Sequence, residues 1–489
     1  MTISIKSIGG MMNEPPVVSG LKAVEVDTYF IKIQYTIHDL EMTYCRQYLI
    51  LNGEKTEITT KGTEIETDTF EYLIDKLDDG TNYNIQIEAS DGHDVAKSDN
   101  LSVKTLRNYI YGIRVNDLNS NPETACEYIE DSVGIQVATK TSLGGWENRW
   151  PYNKIRIVGF KDGKVVKEIK KENKKQYIDG TTVPTDVDVM VEIPKIYWKV
   201  TEIKNSNVFD GYELRVSNIK VDDSYDCYAH KVNGVERDYI YIGAYIASLE
   251  DNRLLRSISG RTPLYYTGDS PSNGMNRGKA RNFAHAVGKG YQEWNWTSLV
   301  LIRILFLLAY KNRNSKSVLG PGISSSRSTT GGSDKKGFIY GGTSNEQICF
   351  LGIEDLWGNG KVILDGIYSV FTYSTQSNTA FYINTTNNFL SDTSNYKRLA
   401  TLYKSEFDVN GPAYITKVNR TNEGLFFPKS AYGSSSTGYT DALSCSAGGN
   451  DNNRMVLSGG IGVGIFNLYE HGNDGSWQDF YSRLVYLGE

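Results

Sequence analysis

The residue types that could do chemistry in this 489-residue chain are few: five histidines, five cysteines and some neighbouring carboxylates. His38, His93, His230, His285 and His471 stand beside no serine or cysteine in a nucleophile pattern, and no Gly-x-Ser-x-Gly turn occurs. His285 lies among small residues in a helical pattern, and His230 follows Tyr228-Ala229 in a strand-turn context. Both read as packed side chains rather than ligands. Cys45, Cys126, Cys227, Cys349 and Cys445 are far apart, without Cys-x-x-Cys or Cys/His spacing. The pattern predicts free thiols of a reducing cytoplasm, not a zinc site or a disulfide framework. Glycan hydrolysis would need two carboxylates across a cleft. Glu354-Asp355 and Asp222-Asp223 are adjacent pairs, and adjacent residues on a strand point to opposite faces. No catalytic residue, metal ligand or cofactor is assigned.

What remains is recognition chemistry. Tyr469, His471, Asn473, Asp474, Trp477 and Tyr481 crowd together near residue 489. Tyr and Trp give large rigid contact area at low entropy cost, and amides and carboxylates supply directed hydrogen bonds. The same set suits a sugar, whose C–H faces stack on rings while its hydroxyls bond amides. For Trp477 and Tyr481 a place in the core is the competing expectation. The chain holds 34 Tyr against 16 Phe. That excess fits rings with one wet end, or the ordinary taste of strands for tyrosine.

Composition narrows the class. A net charge of −6 argues against phosphate-driven nucleic-acid binding. Residues 1–10 lack the apolar core of a signal peptide. The most apolar run, 299–310, is shorter than a bilayer span and carries Arg303, so no membrane insertion is expected. The Lys-rich segment 161–175 is broken by Glu168 and Glu172 and reads as a solvated hairpin.

The elements that must position these residues are mostly strands. Alternating segments fill 17–105, with Asn52-Gly53 as a hairpin turn. In 186–200, DVDVMVEIPKIYWKV, Val187, Val189, Val191 and Ile193 alternate, and 212–216, YELRV, reads as the hairpin partner. In 274–288, Ala280, Phe283, Ala284 and Val287 take helical spacing. A second helix over 294–312, capped near Asn295 or Thr297, is apolar almost all round and should be buried. The Gly/Ser-rich segment 317–333 reads as a surface loop. Asn, Ser, Thr, Gly and Tyr dominate the loops 374–396 and 432–453.

Four stretches carry three resemblances. Leu77-Asp78-Asp79-Gly80-Thr81-Asn82-Tyr83 resembles the fibronectin type III signature, with Asp79 at the usual proline. The resemblance implies a β-sandwich spacer in which the Tyr83 hydroxyl bonds the backbone upstream. Residues 109–134 look like the opening of a tail-protein family of phages infecting Gram-positive bacteria. The runs 351–366, LGIEDLWGNGKVILDG, and 455–487, ending in YSRLVYL, resemble the second half of a C-type-lectin-like domain. Such domains occur in phage tail proteins and in relatives of the formylglycine-generating enzyme. There Arg483 would be structural. The paired cysteines that hold copper in those enzymes have only Cys445 as a counterpart here, and the calcium-binding Glu-Pro-Asn, Gln-Pro-Asp and Trp-Asn-Asp tripeptides of sugar-binding lectins are absent.

Together these imply a mainly β fold with an α+β head: an attachment segment 1–12, a fibronectin type III-like β-sandwich 13–106 and a C-type-lectin-like head 107–489. The expected function is that of a tail fibre or baseplate protein of a phage, or of a phage-tail-like bacteriocin. It would be made in the host cytoplasm and carried on the virion tail. It would act as a homotrimer beside other tail subunits, binding a bacterial surface glycan or protein through Tyr469, His471, Asn473, Asp474, Trp477 and Tyr481. The alternatives are a structural baseplate or decoration protein and a glycan-degrading tailspike.

Overall fold

The computed structural model describes residues 13–40, 44–58, 63–64, 66–205, 207–251, 253–263, 275–325, 328–372, 378–389, 394–403, 412–445, 451–471 and 480–488. The attachment segment expected at 1–12 lies outside them. Strand takes 46% of the fold and helix 9%, so the protein is mainly β, built from several antiparallel sheets, one curled as a half-barrel. The chain divides into two compact units, Met1–Asn108 and Tyr109–Glu489. Among the described residues no helix is long and apolar enough to cross a membrane.

In the first unit, strands Val17–Val26, Ile31–His38 and Thr67–Ile74 form one sheet. A second sheet is built around Tyr44–Leu51 and Asn82–Ser90. Along Ile31–His38 burial alternates strictly, and Ile31, Ile33, Tyr35 and Ile37 meet Ile85, Ile87 and Ala89 of the other sheet in one core. Leu51 pairs with Glu54, leaving Asn52-Gly53 as a two-residue turn. Both turn residues have positive φ, 50° and 91°, the geometry that suits Asn-Gly. The Asp78 N–H donates to the Tyr83 hydroxyl at 2.8 Å, which ties the strand crossing at Tyr83 to the chain five residues upstream.

The second unit is organised by a helix. Helix α1, Arg277–His285, is capped by the Asn276 side chain, and helix α2, Trp296–Tyr310, by Asn295, whose carboxamide oxygen accepts from Ser298 N–H at 2.9 Å. All 15 residues of α2 are buried. Its last carbonyls, left without helical partners, are met from outside. The Tyr128 hydroxyl donates to Leu308 O at 2.5 Å and Ala138 N–H donates to Ala309 O at 2.8 Å, while the Tyr152 hydroxyl donates to Leu305 O at 2.7 Å. Lys311 closes the helix in the left-handed region, φ 49°.

Three sheets surround this axis. A four-stranded one runs Cys126–Glu130, Ile110–Asn116, Phe209–Ser217, Tyr197–Asn205. A seven-stranded one runs Asn173–Tyr177, Lys164–Lys170, Arg156–Lys161, Asp188–Pro194, Tyr239–Gly243, Leu484–Tyr486, Tyr291–Glu293. An eight-stranded one begins Lys397–Tyr403, Asn378–Ile383, Gly358–Thr372, Asp451–Gly460, Leu468–His471 and continues to Ala442–Cys445 and Ala413–Tyr414. Gly358–Thr372 carries three register shifts against Asp451–Gly460, and such bulges bend a strand.

Three sequence expectations change here. Residues 186–200 form two strands, broken at Lys195-Ile196. YELRV pairs with the second, Tyr197–Asn205, and not with Asp188–Pro194. Asp188–Pro194 is buried on both faces, because Val189, Val191 and Ile193 face the α2 core while Met190 joins the smaller core beside α1. Segment 317–333 begins inside a short helix α3, Ser315–Leu319, and ends with Thr330 and Ser333 buried. The Lys-rich hairpin forms, but Lys174 turns inward, and its ammonium donates to Ser333 Oγ at 2.8 Å and Gly352 O at 3.2 Å.

Phe306 of α2 is fully buried, with ring centroids 4.6 Å from Tyr310, 5.4 Å from Phe350 and 6.0 Å from Trp357. Phe306→Asp is expected to lower the unfolding free energy by about 3–5 kcal/mol in urea titrations, as an unpaired buried charge does. Unchanged unfolding would show that the helix is not the core.

His230 is also fully buried, its Nε2 3.3 Å from Ile193 O, and burial pushes its pKa down to about 4. The unfolded chain therefore binds a proton that the native state refuses, so stability is lost as pH falls from about 6.5 towards 4. At pH 5 this loss is about 2 kcal/mol, and His230→Gln should remove it, giving a flatter stability profile than the parent between pH 7.5 and 5. Parallel profiles would refute the assignment.

Candidate functional site

Burial alternates along Leu468–His471, with Leu468 and Glu470 inward and Tyr469 and His471 partly exposed. The strand is held between Asp451–Gly460, with Leu457 opposite Tyr469 and Met455 opposite His471, and the parallel Ala442–Cys445. Beneath it Glu470 accepts from Arg454 Nη1 at 2.6 Å and from Ser369 Oγ at 3.0 Å, with both charged side chains buried. Outside, the Lys361 ammonium sits 4.3 Å from the centre of the Tyr469 ring, and His471 meets Phe480 edge-on at 5.1 Å. A cation held over an aromatic face and an imidazole braced by a ring make a small rigid surface.

The structure does not gather the whole expected cluster on that surface. Tyr481 is fully buried, in the strand Phe480–Tyr481 that runs parallel to Gly358–Thr372. Its ring lies on Gly360, where an added Cβ would come within 1.8 Å of it. Tyr481 is thus a core residue, packed where only glycine leaves room, and cannot touch a receptor from there. Asn473, Asp474 and Trp477 lie outside the described residues.

A second feature had no signal beyond the polarity of its loops. Strand Lys397–Tyr403 is the first strand of the eight-stranded sheet. A cavity of 270 Å³ lies beside it, lined by Lys397, Arg398 and Leu399 together with Thr386, Asn419 and Thr421. A 430 Å³ cavity continues along Leu399, Ala400, Thr401 and Leu402, facing Asn419, Arg420 and Lys429. The far wall is fixed from behind. Arg420 is buried and donates to Asp117 at 2.9 Å and to Asp210 at 2.5 Å, and the Asn422 side chain bonds Val200 N–H at 2.6 Å and Ser224 O at 2.7 Å.

The carboxylates considered for acid–base work are spoken for. Glu354 is fully buried. It accepts from Gly331 N–H and Ser333 N–H at 2.8 Å, Ser333 Oγ at 2.6 Å and Gln347 Nε2 at 3.0 Å. Asp355, beside it, is held towards its neutral form by burial and by the charge on Glu354. Arg483 donates to three carbonyls there: Gly243 at 2.8 Å, Glu354 at 2.7 Å and Asp355 at 3.1 Å. This closed network fastens the chain at 331–334 and the last strand to one point, and leaves Glu354 no lone pair facing a cleft. Asp222 and Asp223 are surface groups paired with Lys199 and Lys220. The five cysteines carry free thiols. Among the described residues no group of histidine, cysteine and carboxylate side chains is arranged to hold a metal ion.

Because Glu470 is paired with Arg454 and both are buried, Glu470→Ala should cost about 3–5 kcal/mol by removing the carboxylate that balances the buried guanidinium. Denaturant unfolding measures it, and a loss below 1 kcal/mol would show that the pair does not hold the strand. No protein-family model matches this chain, and a search of curated proteins finds none similar to it.

Proposed function

We propose that this chain is a receptor-binding tail protein of a phage or a phage-tail-like particle, with a fibronectin type III-like spacer and a C-type-lectin-like head. Support for the spacer comes from two antiparallel sheets sharing one core and from the Tyr83 hydroxyl bond to Asp78 N–H. Support for the head comes from the helices packed among the sheets and from Arg483, which the resemblance makes structural and which is buried on the carbonyls of Gly243 and Glu354. In this reading the head binds and does not catalyse. The saturated Glu354 network is consistent with that, since a general acid or base needs a lone pair or proton facing its substrate.

The observation that carries the proposal is the partly exposed pair Tyr469 and His471, flanked by Lys361, on a strand whose alternate residues are locked in the core and whose Tyr469 is braced on the smaller core. Aromatic side chains held rigid before contact lose little entropy on binding, which is what a recognition surface for a glycan or protein on a bacterium requires. Working as a homotrimer would multiply such contacts through avidity.

Tyr469→Ala and His471→Ala should weaken adsorption to susceptible bacteria by about tenfold or more each; melting temperature should stay almost unchanged in His471→Ala and fall modestly in Tyr469→Ala, whose ring also packs on the smaller core. Whole-cell binding with fluorescently labelled protein reads the effect. Full adsorption by both folded variants would move the receptor site away from this strand.

A further inference from the structure

Residues 461–467 connect Asp451–Gly460 to Leu468–His471, and the main chain at the end of this connection is held by side chains from three elements. Asp441 stands directly before Ala442–Cys445 and is buried. Its carboxylate accepts Gly464 N–H on Oδ1 at 2.7 Å and Phe466 N–H on Oδ2 at 3.0 Å. Between these two, Ile465 N–H donates to Ser315 Oγ of α3 at 3.0 Å. The carbonyls of Ile465 and Asn467 accept from Arg303 of α2 at 2.9 and 3.2 Å. Two buried groups of opposite charge thus grip one segment, the carboxylate by its donors and the guanidinium by its acceptors. The partly exposed Lys316 ammonium stands 3.9 Å from the same carboxylate.

This grip bears on register. A slip of one residue along a strand exchanges its two faces, which here would turn Tyr469 and His471 inward and Leu468 and Glu470 out. The ladders on either side of Leu468–His471 are short, with three pairs to Ala442–Cys445 and four to Asp451–Gly460. Gly464 removes the choice. A Cβ there would lie 2.1 Å from Ser315 Oγ and 2.7 Å from Asp441 Oδ2. A slip of one residue in either direction would bring Val463 or Ile465 to that place, and both are branched at Cβ. We infer that Asp441 is a positioning residue: together with Gly464 it locks the register that turns Tyr469 and His471 out of the core. Its effect on adsorption rests on the receptor reading; the lock itself does not.

Asp441→Asn keeps the shape of the side chain but sets an amide N–H against one of the two backbone donors. In the full chain, hydrogen–deuterium exchange of peptides spanning 464–471 should quicken about tenfold or more relative to Ile110–Asn116. Gly464→Ala, which leaves both charges in place, should do the same. Adsorption to susceptible bacteria should fall about tenfold in both. Ile169→Ala, which opens a cavity under a strand of the seven-stranded sheet, controls for lost stability. It should lower the melting temperature, quicken exchange in the two segments alike and leave adsorption as in the parent. No preferential quickening at 464–471 in folded Asp441→Asn and Gly464→Ala would overturn the lock, as would the same preference in Ile169→Ala. Preferential quickening with full adsorption, where Tyr469→Ala still weakens adsorption, would overturn the positioning role. The same result with full adsorption by Tyr469→Ala as well would keep the lock and remove the receptor reading.

Discussion

A helix with no solvent-facing side is the constraint on which the larger unit rests. Every residue of Trp296–Tyr310 must be covered, so structure has to be supplied on all sides of a cylinder about 10 Å across. The sheets bring that cover from distant parts of the chain: Tyr128, Ala138 and Tyr152 at its carbonyl end, Phe350 and Trp357 against Phe306, and Phe466 beyond. Even the single charge in the helix is handled internally. Arg303 is fully buried and donates to Ile465 O at 2.9 Å and Asn467 O at 3.2 Å. Those carbonyls lie immediately before Leu468–His471, so the helix also sets where Tyr469 and His471 emerge.

Polar interiors take over where sheets and loops meet. Glu354 and Arg483 do not face each other as an ion pair. Each instead satisfies main-chain groups, the carboxylate taking N–H donors and the guanidinium taking carbonyls. Buried in this way, a charge specifies one chain path, because any other would leave it unsatisfied in a low-dielectric setting. Asp117 plays a similar part behind the cavity wall at Arg420, held by Arg313 at 3.2 Å and Arg420 at 2.9 Å.

Much of this could be read from residue order where a local rule governs. The all-apolar run of α2, the Asn295 cap, the Asn52-Gly53 turn and the Tyr83 hydroxyl bond are all set by neighbours within a few positions. What could not be read depends on partners far away. Asp188–Pro194 alternates as a half-exposed strand would, yet cores cover both its faces. Lys174 sits in a run of lysines, but Ser333 and Gly352, more than a hundred and fifty residues on, draw it inside. Tyr481 resembles its aromatic neighbours in type and differs only because Gly360 offers it a slot. The cavities beside Lys397–Tyr403 have a wall at 419–422 that is fastened to Asp117 and Val200, and no local pattern encodes that.

The position of Leu484–Tyr486 bears on how the protein is made. This strand lies between Tyr239–Gly243 and Tyr291–Glu293, and Arg483 beside it reaches Gly243 and Glu354. While the ribosome is still translating, those two strands have an empty slot between them, and the backbone groups lining it have no partner. The first unit carries its whole core within its own residues and is free to fold as it emerges from the exit tunnel, whereas the second stays open until residue 486 has cleared it. A chain that stops before residue 484 leaves the place between Tyr239–Gly243 and Tyr291–Glu293 without its strand, and the backbone groups that face it there without partners.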